Sequence, residues 1–442
     1  MAFFKSTELG NSSQTILANS FICLSLFFLS GPTHAEEFWR GFQNGGQLQV
    51  AGLPESWDAS GKGIAWKAAL EGYGQSTPVV AGDEVFLTST SGPNKETYHV
   101  AAYSLADGSK RWQKDFANPS PEESNSYVSR AAPSPVIDAS GLFVSFEGGI
   151  VASLSRSGEV LWQRNLVDTD GPIQARHGLA ASLEQDANNL FVWVEREQEP
   201  YVLAIEKKSG KTIWKSPGVG ATSWSSPRLI SVAGKPQLVC SASGRIAGYD
   251  TTDGKKLWEF TGLANNSTCT PIPVDEGKFL IGASDGRGEQ TAGNAAASNG
   301  LIEIKPTQDG RFEVDFAWRA DKATSSFGSP AVANGKVWIV NRSGVLFQLD
   351  LATGKQLSAE RIAAGSIWAT PLFTASNLYL FGQKGTTSIV QLDSAKEVAS
   401  CTTWEDGASS APAASGGAVL YAAVSAPGML LIRRGDTLYA IR

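Results

Sequence analysis

The densest run of chemistry-bearing residues is Asp285-Gly-Arg-Gly-Glu-Gln-Thr-Ala-Gly-Asn-Ala-Ala-Ala-Ser-Asn-Gly300. Asp285, Glu289, Asn294 and Asn299 are oxygen donors of the kind a hard cation takes, and Arg287 offers an anion partner. The run reads either as a binding loop or as a solvated Gly-rich surface loop, and its composition favours the second. A second group is dispersed. Arg130, Arg176, His177, Trp224, Phe327 and Trp368 each stand a few residues ahead of an apolar run. Gathered at one place they would form a ligand pocket with aromatic walls and cationic groups. Packed apart, the rings would fill gaps between strands and the arginines would pair with local carboxylates, and this is the favoured reading of the two. With 3 His in the whole chain, a multi-His metal centre is excluded, and no metal site is assigned. A Ser-His-Asp set around His177 is conceivable, but no Gly-x-Ser-x-Gly elbow accompanies it. No catalytic residue is assigned.

The elements that must position these residues are repeats. The segment Ala102 to Trp112, with Gly108 four residues before the Trp, returns as Ala152–Trp162, Ala204–Trp214 and Gly248–Trp258. A weaker copy runs from Gln348 to Ser358, and another from Gln391 to Cys401 with Glu397 at the Gly position. An alternating strand, a polar turn with Gly at positive φ and a second strand make a hairpin. A Trp on the second strand of each copy places a large side chain between neighbouring modules. The Trp slots are Trp66, Trp112, Trp162, Trp214, Trp258, Trp318, Ser358 and Cys401, spaced at the period of propeller blades.

A second signal alternates with the first. Thr77-Pro78, Ser134-Pro135, Ser226-Pro227, Thr270-Pro271, Ser329-Pro330, Thr370-Pro371 and Ala411-Pro412 each open an apolar run, and Gly178–Ser182 fills the remaining slot without Pro. Pro at the first residue of a strand removes no ladder hydrogen bond. Each repeat therefore holds four strands. Thr437–Arg442 is a third strand with none after it, and Gly63–Lys67 is a fourth strand with none before it. Joining them closes the ring and removes exposed edges. The expected fold is all-β, an eight-bladed β-propeller of four-stranded antiparallel blades over residues 63–442. Its blades fall at 76–116, 131–166, 178–216, 223–262, 268–320, 326–362, 368–404, and 409–442 with 63–68.

The Ala-x-Asp-x-x-Thr-Gly-Lys-x-x-Trp pattern resembles the pyrroloquinoline-quinone (PQQ) repeat of β-propellers. It is strong in four copies, partial in two and distorted in the blade ending at Trp318. The opening Trp39-Arg40-Gly41-Phe42 is similar to the start of many bacterial PQQ-repeat proteins. The resemblance implies one of two roles. Quinoprotein dehydrogenases hold PQQ and Ca²⁺ over such a ring, whereas BamB-like proteins use it as a scaffold without cofactor. This chain lacks the adjacent Cys-Cys pair of the dehydrogenases and has one long insertion. A set of six to eight oxygen ligands for Ca²⁺ does not assemble from its residues. A cofactor-free binding or scaffold propeller with an envelope protein partner is expected. The alternatives are a PQQ- and Ca²⁺-dependent dehydrogenase and a sensor or carbohydrate-binding protein.

Composition bounds the rest. Of 442 residues, 42% are hydrophobic and 18% charged, the balance of a globular chain. The net charge of −6, with no Lys/Arg cluster, argues against a nucleic-acid partner. The apolar core Phe21–Leu29 and the small residues of Thr33-His34-Ala35 predict a signal peptide over 1–35, with 36–62 leading into the propeller. The long region ahead of the core, with Lys5 against Glu8, admits an uncleaved anchor instead. A periplasmic or secreted monomer that does not span the membrane is expected. Cleavage would leave Cys240, Cys269 and Cys401, read either as buried thiols or as a Cys240–Cys269 disulfide with one cysteine over.

Overall fold

A computed structural model describes residues 38–39, 42–43, 46–47, 50, 52–123, 128–220, 223–285, 295–405 and 419–442. These all belong to the compact unit Glu36–Arg442. The expected signal segment, Ala411-Pro412, Arg287, Glu289 and Asn294 lie outside the described residues.

Eight four-stranded antiparallel sheets make an eight-bladed propeller. Blade one, for example, comprises Val79–Ala81, Glu84–Ser91, Thr97–Ser104 and Lys110–Ala117. The last blade is built from both ends of the chain. Leu420–Ala426, Met429–Arg434 and Thr437–Ile441 come from the C-terminal side, and the outer strand Ile64–Ala69 comes from the N-terminal side. The second and third strands of each blade carry long buried runs, and their side chains pack blade against blade.

The hydroxyls ahead of the prolines have a structural reason. The backbone N–H of Thr77 donates to Ser134 Oγ of the next blade, that of Ser134 to Ser182 Oγ and that of Ser182 to Ser226 Oγ, at 2.9–3.0 Å. Ser226 donates likewise to Thr270 Oγ1 and Thr270 to Ser329 Oγ. The amides at the heads of five inner strands are thus satisfied by the next blade, and a belt of hydroxyls ties six consecutive blades around the channel. Ser182 explains why the third blade fits the series without a Pro.

The outer strands are tied by tryptophans. Trp66, Trp112, Trp162, Trp214 and Trp318 each donate the indole N–H to a carbonyl in the third-to-fourth-strand turn of the following blade, at 2.7–3.1 Å. In that turn Gly108, Gly158, Gly210, Gly254 or Gly354 presses its bare Cα on the ring, with φ between 70° and 85°. Trp258 differs. It donates to Gln237 Oε1 within its own blade, because the next blade turns at Gly310, whose Cα faces open space.

Blade seven corrects the expected register. The β-bulge that follows the Trp position in each blade lies between Ile389 and Val390, and Ile389 pairs with Ala399. The slot is therefore Ala399, not Cys401, and the turn residue at positive φ is Ala395 (57°), not Glu397. The Ala395 N–H bonds Gln391 O as Gly354 N–H bonds Asp350 O. Without Gly and Trp as markers, the sequence alone places this copy two residues late. The facing slot in blade six is Ser358, and Lys336 Nζ, in place of an indole, donates to Leu392 O.

Ring closure has its own clasp. Arg433 in the last blade is fully buried and donates to Ser76 O, Ser76 Oγ and Thr88 O of the first blade. Burial lowers its pKa to about 10. The residues before the ring are also packed. Leu53 and Trp57 are buried; Trp57 Nε1 donates to Thr403 Oγ1 and Asn377 Nδ2 to Glu55 Oε1. Further upstream, Phe38–Trp39, Phe42–Gln43 and Gly46–Gln47 form a small antiparallel sheet. Its first strand lies against the inner strands Val79–Ala81 and Val136–Asp138 and its last against Ile272–Asp275. Those strands belong to opposite sides of the ring, so the meander spans the channel.

Candidate functional site

The inner strands begin at one face of the ring, and the connectors that lead into them converge on the channel mouth. Six of these connectors carry a ring or an arginine two to five residues before the hydroxyl that opens the inner strand: Tyr73, Arg130, His177, Trp224, Phe327 and Trp368. Because every blade starts at the same height, these side chains meet. His177 and Trp224 have centroids 5.3 Å apart, Trp224 and Phe327 6.5 Å, and Phe327 and Trp368 5.1 Å. Tyr421 continues the chain to Trp368 at 5.9 Å and to Tyr73 at 6.0 Å. The Arg130 guanidinium lies 3.6 Å over the Tyr73 ring, and that of Arg342 5.4 Å from the Phe327 centroid. Most contacts are edge-to-face or tilted, the geometry that aromatic quadrupoles prefer.

This belt encloses a cavity of about 440 Å³. His177, Trp224, Phe327 and Trp368 line it, together with Arg342 and Tyr421. Between the rings stand hydroxyls, among them Ser129, Ser267, Thr268 and Ser284, and the amides of Gln75 and Asn265. Two of these hydroxyls, Ser129 Oγ and Ser284 Oγ, and the indole Nε1 of Trp368 are buried with no hydrogen-bond partner in the protein.

Among the residues expected from sequence, Arg130 sits at the edge of the belt on Tyr73. Arg176, next to His177, is exposed and is not part of the cavity wall. Arg342, Tyr73 and Tyr421 were not expected. Tyr73 precedes Thr77 by the same interval as Arg130 precedes Ser134, a usable signal. Arg342 comes from a different turn, between the second and third strands of blade six, and nothing in its sequence context points to the mouth. The long insertion springs from the rim, since Ser284 lines the cavity and Asp285 follows it. Asn299 at the far end of that loop is no cation ligand: its amide holds the loop base, donating to Ala283 O and Ala295 O and accepting from Ala283 N–H.

Two carboxyls lie behind the wall. Glu147 is fully buried, 3.8 Å from Lys95 Nζ, and accepts the amide of Ala131. Burial raises its pKa to about 7, with Lys95 pulling the other way. Glu195 is buried beside Ser223, the neighbour of Trp224, and desolvation raises it to about 8. Neither lines the cavity. The described wall offers neutral oxygens and one guanidinium, and among the described residues no group of three or more His, Cys, Asp or Glu could hold a metal ion. That donor set does not fit a resident Ca²⁺, which takes six to eight oxygens with carboxylates among them. Cys240, Cys269 and Cys401 are buried free thiols, so the Cys240–Cys269 disulfide does not form. Burial pushes the Cys269 thiol up to about 11. Among the described residues no helix is long and apolar enough to cross a membrane.

Ring, repeat and blade locks together define a PQQ-repeat eight-bladed propeller. The chain belongs to the family described as outer membrane protein assembly factor BamB, whose profile matches residues 40–184 and 198–441. It is 22% identical over 300 residues to the outer membrane protein assembly factor BamB of Shewanella oneidensis, covering 67% of this chain and 66% of that protein. It is also 20% identical to the BamB of Yersinia pestis, over 64% of this chain and 63% of that one. The matched region thus spans just under two thirds of these relatives' length. The crystal structure of BamB from Moraxella catarrhalis superposes with a TM-score of 0.58 at 15% identity, over 85% of this chain and 95% of that one. The quinohemoprotein alcohol dehydrogenase of Comamonas testosteroni superposes at 0.55 with 12% identity, over 86% and 76%, and so shares the fold.

Proposed function

We propose that this protein is a non-catalytic scaffold of the cell envelope, exported from the cytoplasm, that holds an envelope protein during outer-membrane protein assembly and carries no cofactor. The observation that carries this reading is the BamB family match, which extends over nearly all of the propeller. The relatives named as assembly factors support it. The architecture suits a scaffold. Hydroxyl belt, tryptophan locks and the Arg433 clasp tie seven of the eight blades to a neighbour, so most of a docking face is rigid before a partner arrives and little ordering entropy opposes binding. The charge-poor cavity wall does not favour the dehydrogenase reading.

Deleting the gene in its own host is expected to lower the abundance of folded outer-membrane proteins. Photo-crosslinking side chains at the exposed Arg176 and Trp224 positions are expected to capture a component of the outer-membrane assembly machinery in intact cells. An unchanged outer-membrane profile together with no such adduct overturns the reading. The purified protein mixed with PQQ and Ca²⁺ is expected to show neither bound-quinone absorbance nor dye-linked alcohol oxidation, and activity there would replace the scaffold with an enzyme.

A further inference from the structure

We infer that the cavity at the channel mouth is a binding site for a neutral saccharide of one or two pyranose rings. This does not rest on the assembly role. Three observations converge on the ligand class. The first is the wall. Trp224, Phe327, Trp368 and Tyr421 present rings to the cavity, and the apolar C–H face of a pyranose stacks on the electron-rich face of such rings. Trp224 keeps 36% of its surface exposed, large for an indole held in a packed belt.

The second is the polar complement. Hydroxyl and amide side chains both donate and accept, as sugar hydroxyls do. Ser129 and Ser284 are 3% and 6% exposed, yet their hydroxyls, like the indole N–H of Trp368, have no partner in the protein. Buried polar groups are rarely left unpaired, and each costs free energy until something bonds it. The polar residues of the wall that remain partly open to solvent, Gln75, Asn265, Ser267 and Thr268, match a ligand carrying several hydroxyls around an apolar ring, while the three unpaired atoms belong to the same wall but are closed off from solvent.

The third is charge and size. The described wall has no carboxylate and one guanidinium, Arg342, which lies over Phe327. A cationic ligand would find no counter-charge there. The volume of about 440 Å³ falls in the range of small-molecule sites, roughly 300–1,000 Å³.

Calorimetry and saturation-transfer NMR on the purified protein with cellobiose, maltose and N,N′-diacetylchitobiose test this. At least one of the three is expected to bind saturably, with a Kd of about 1 mM or tighter. Trp224→Ala is expected to weaken that binding about tenfold or more. Trp368→Phe keeps an aromatic ring but trims the indole to a phenyl and removes its N–H, so a smaller loss is expected there, with the thermal midpoint unchanged in both variants. Galacturonate and lysine, the charged controls, are expected to bind more weakly than the best neutral sugar. The inference is overturned if none of the three sugars gives saturable transfer or heat, if both variants bind as the parent does, or if a charged control binds best. Failure of the crosslinking experiment would leave this result untouched.

Discussion

Glu195 and Glu147, buried behind the cavity wall, couple the stability of the fold to pH. Each is a carboxyl buried by its blade, and burial raises its pKa from 4.5 to about 8 and about 7. The native state therefore binds these protons more tightly than the unfolded chain does. Below pH 4.5 both states are protonated. Between pH 4.5 and the native pKa the unfolded chain is ionised and the native one is not, so stability falls as pH rises through that window. The slope is up to about 1.4 kcal/mol per pH unit for each group. Glu195→Gln is expected to flatten the fall and to be more stable than the parent at pH 8, read from urea midpoints at pH 5, 6.5 and 8. A parent protein more stable at pH 8 than at pH 5 would contradict this. The same scale shows what the chain discloses about the mouth. Trp224, Phe327 and Trp368 stand two residues before the Ser or Thr that opens their inner strands, a regular interval that marks them. Arg176 and His177 are neighbours in one turn, and adjacent turn residues point apart, so only His177 reaches the wall. Arg342 enters from another hairpin, and its place beside Phe327 depends on two blades meeting.

The tryptophan–glycine lock is the unit that sets blade against blade. Gly158 combines φ of 85° with a Cβ position 2.7 Å from Trp112 Cε3, so an Ala there meets both backbone strain and a ring fixed by its own hydrogen bond. Gly158→Ala is expected to cost about 3 kcal/mol or more. Gly234→Ala, at φ of 74° with open space around it, is expected to cost only the left-handed penalty, about 1–2 kcal/mol. Equal thermal shifts for the two would show that the ring contact does not matter. Blades six and seven have lost both halves of the lock together, with Ser358 facing Ala395. Restoring both, Ser358→Trp with Ala395→Gly, is expected to show a favourable coupling of about 1 kcal/mol in a double-mutant cycle. Either change alone supplies a ring without its seat or a seat without its ring. Strand number, turn positions and five of these locks were readable from Gly and Trp spacing. Blade seven was not, because Ala395 takes the left-handed turn without announcing it by residue type.

At the scale of the whole molecule, the ring is held by pairings between residues far apart in sequence. Thr437–Ile441 pairs with Ile64–Ala69, and Arg433 reaches Ser76 and Thr88. Deleting residues 437–442 leaves Met429–Arg434 and Ile64–Ala69 with unpaired edges. The truncated protein is expected to lose its cooperative thermal transition and to elute as oligomers, since open strand edges recruit other chains. A monomer with an unchanged midpoint would show that closure contributes little. The amino-acid sequence by itself determined the blade count, the four-strand unit and the closure, because turn glycines, inner-strand hydroxyls and alternating strands are local signals that recur, with gaps, around the ring. Only the tertiary structure decided which connectors meet at the mouth, that three polar groups there stay unpaired, that the segment before the ring lies across the channel, and that the cysteines remain thiols. Each of these depends on distances between blades, and a one-dimensional period fixes the order of the blades but not what their loops place within reach of one another.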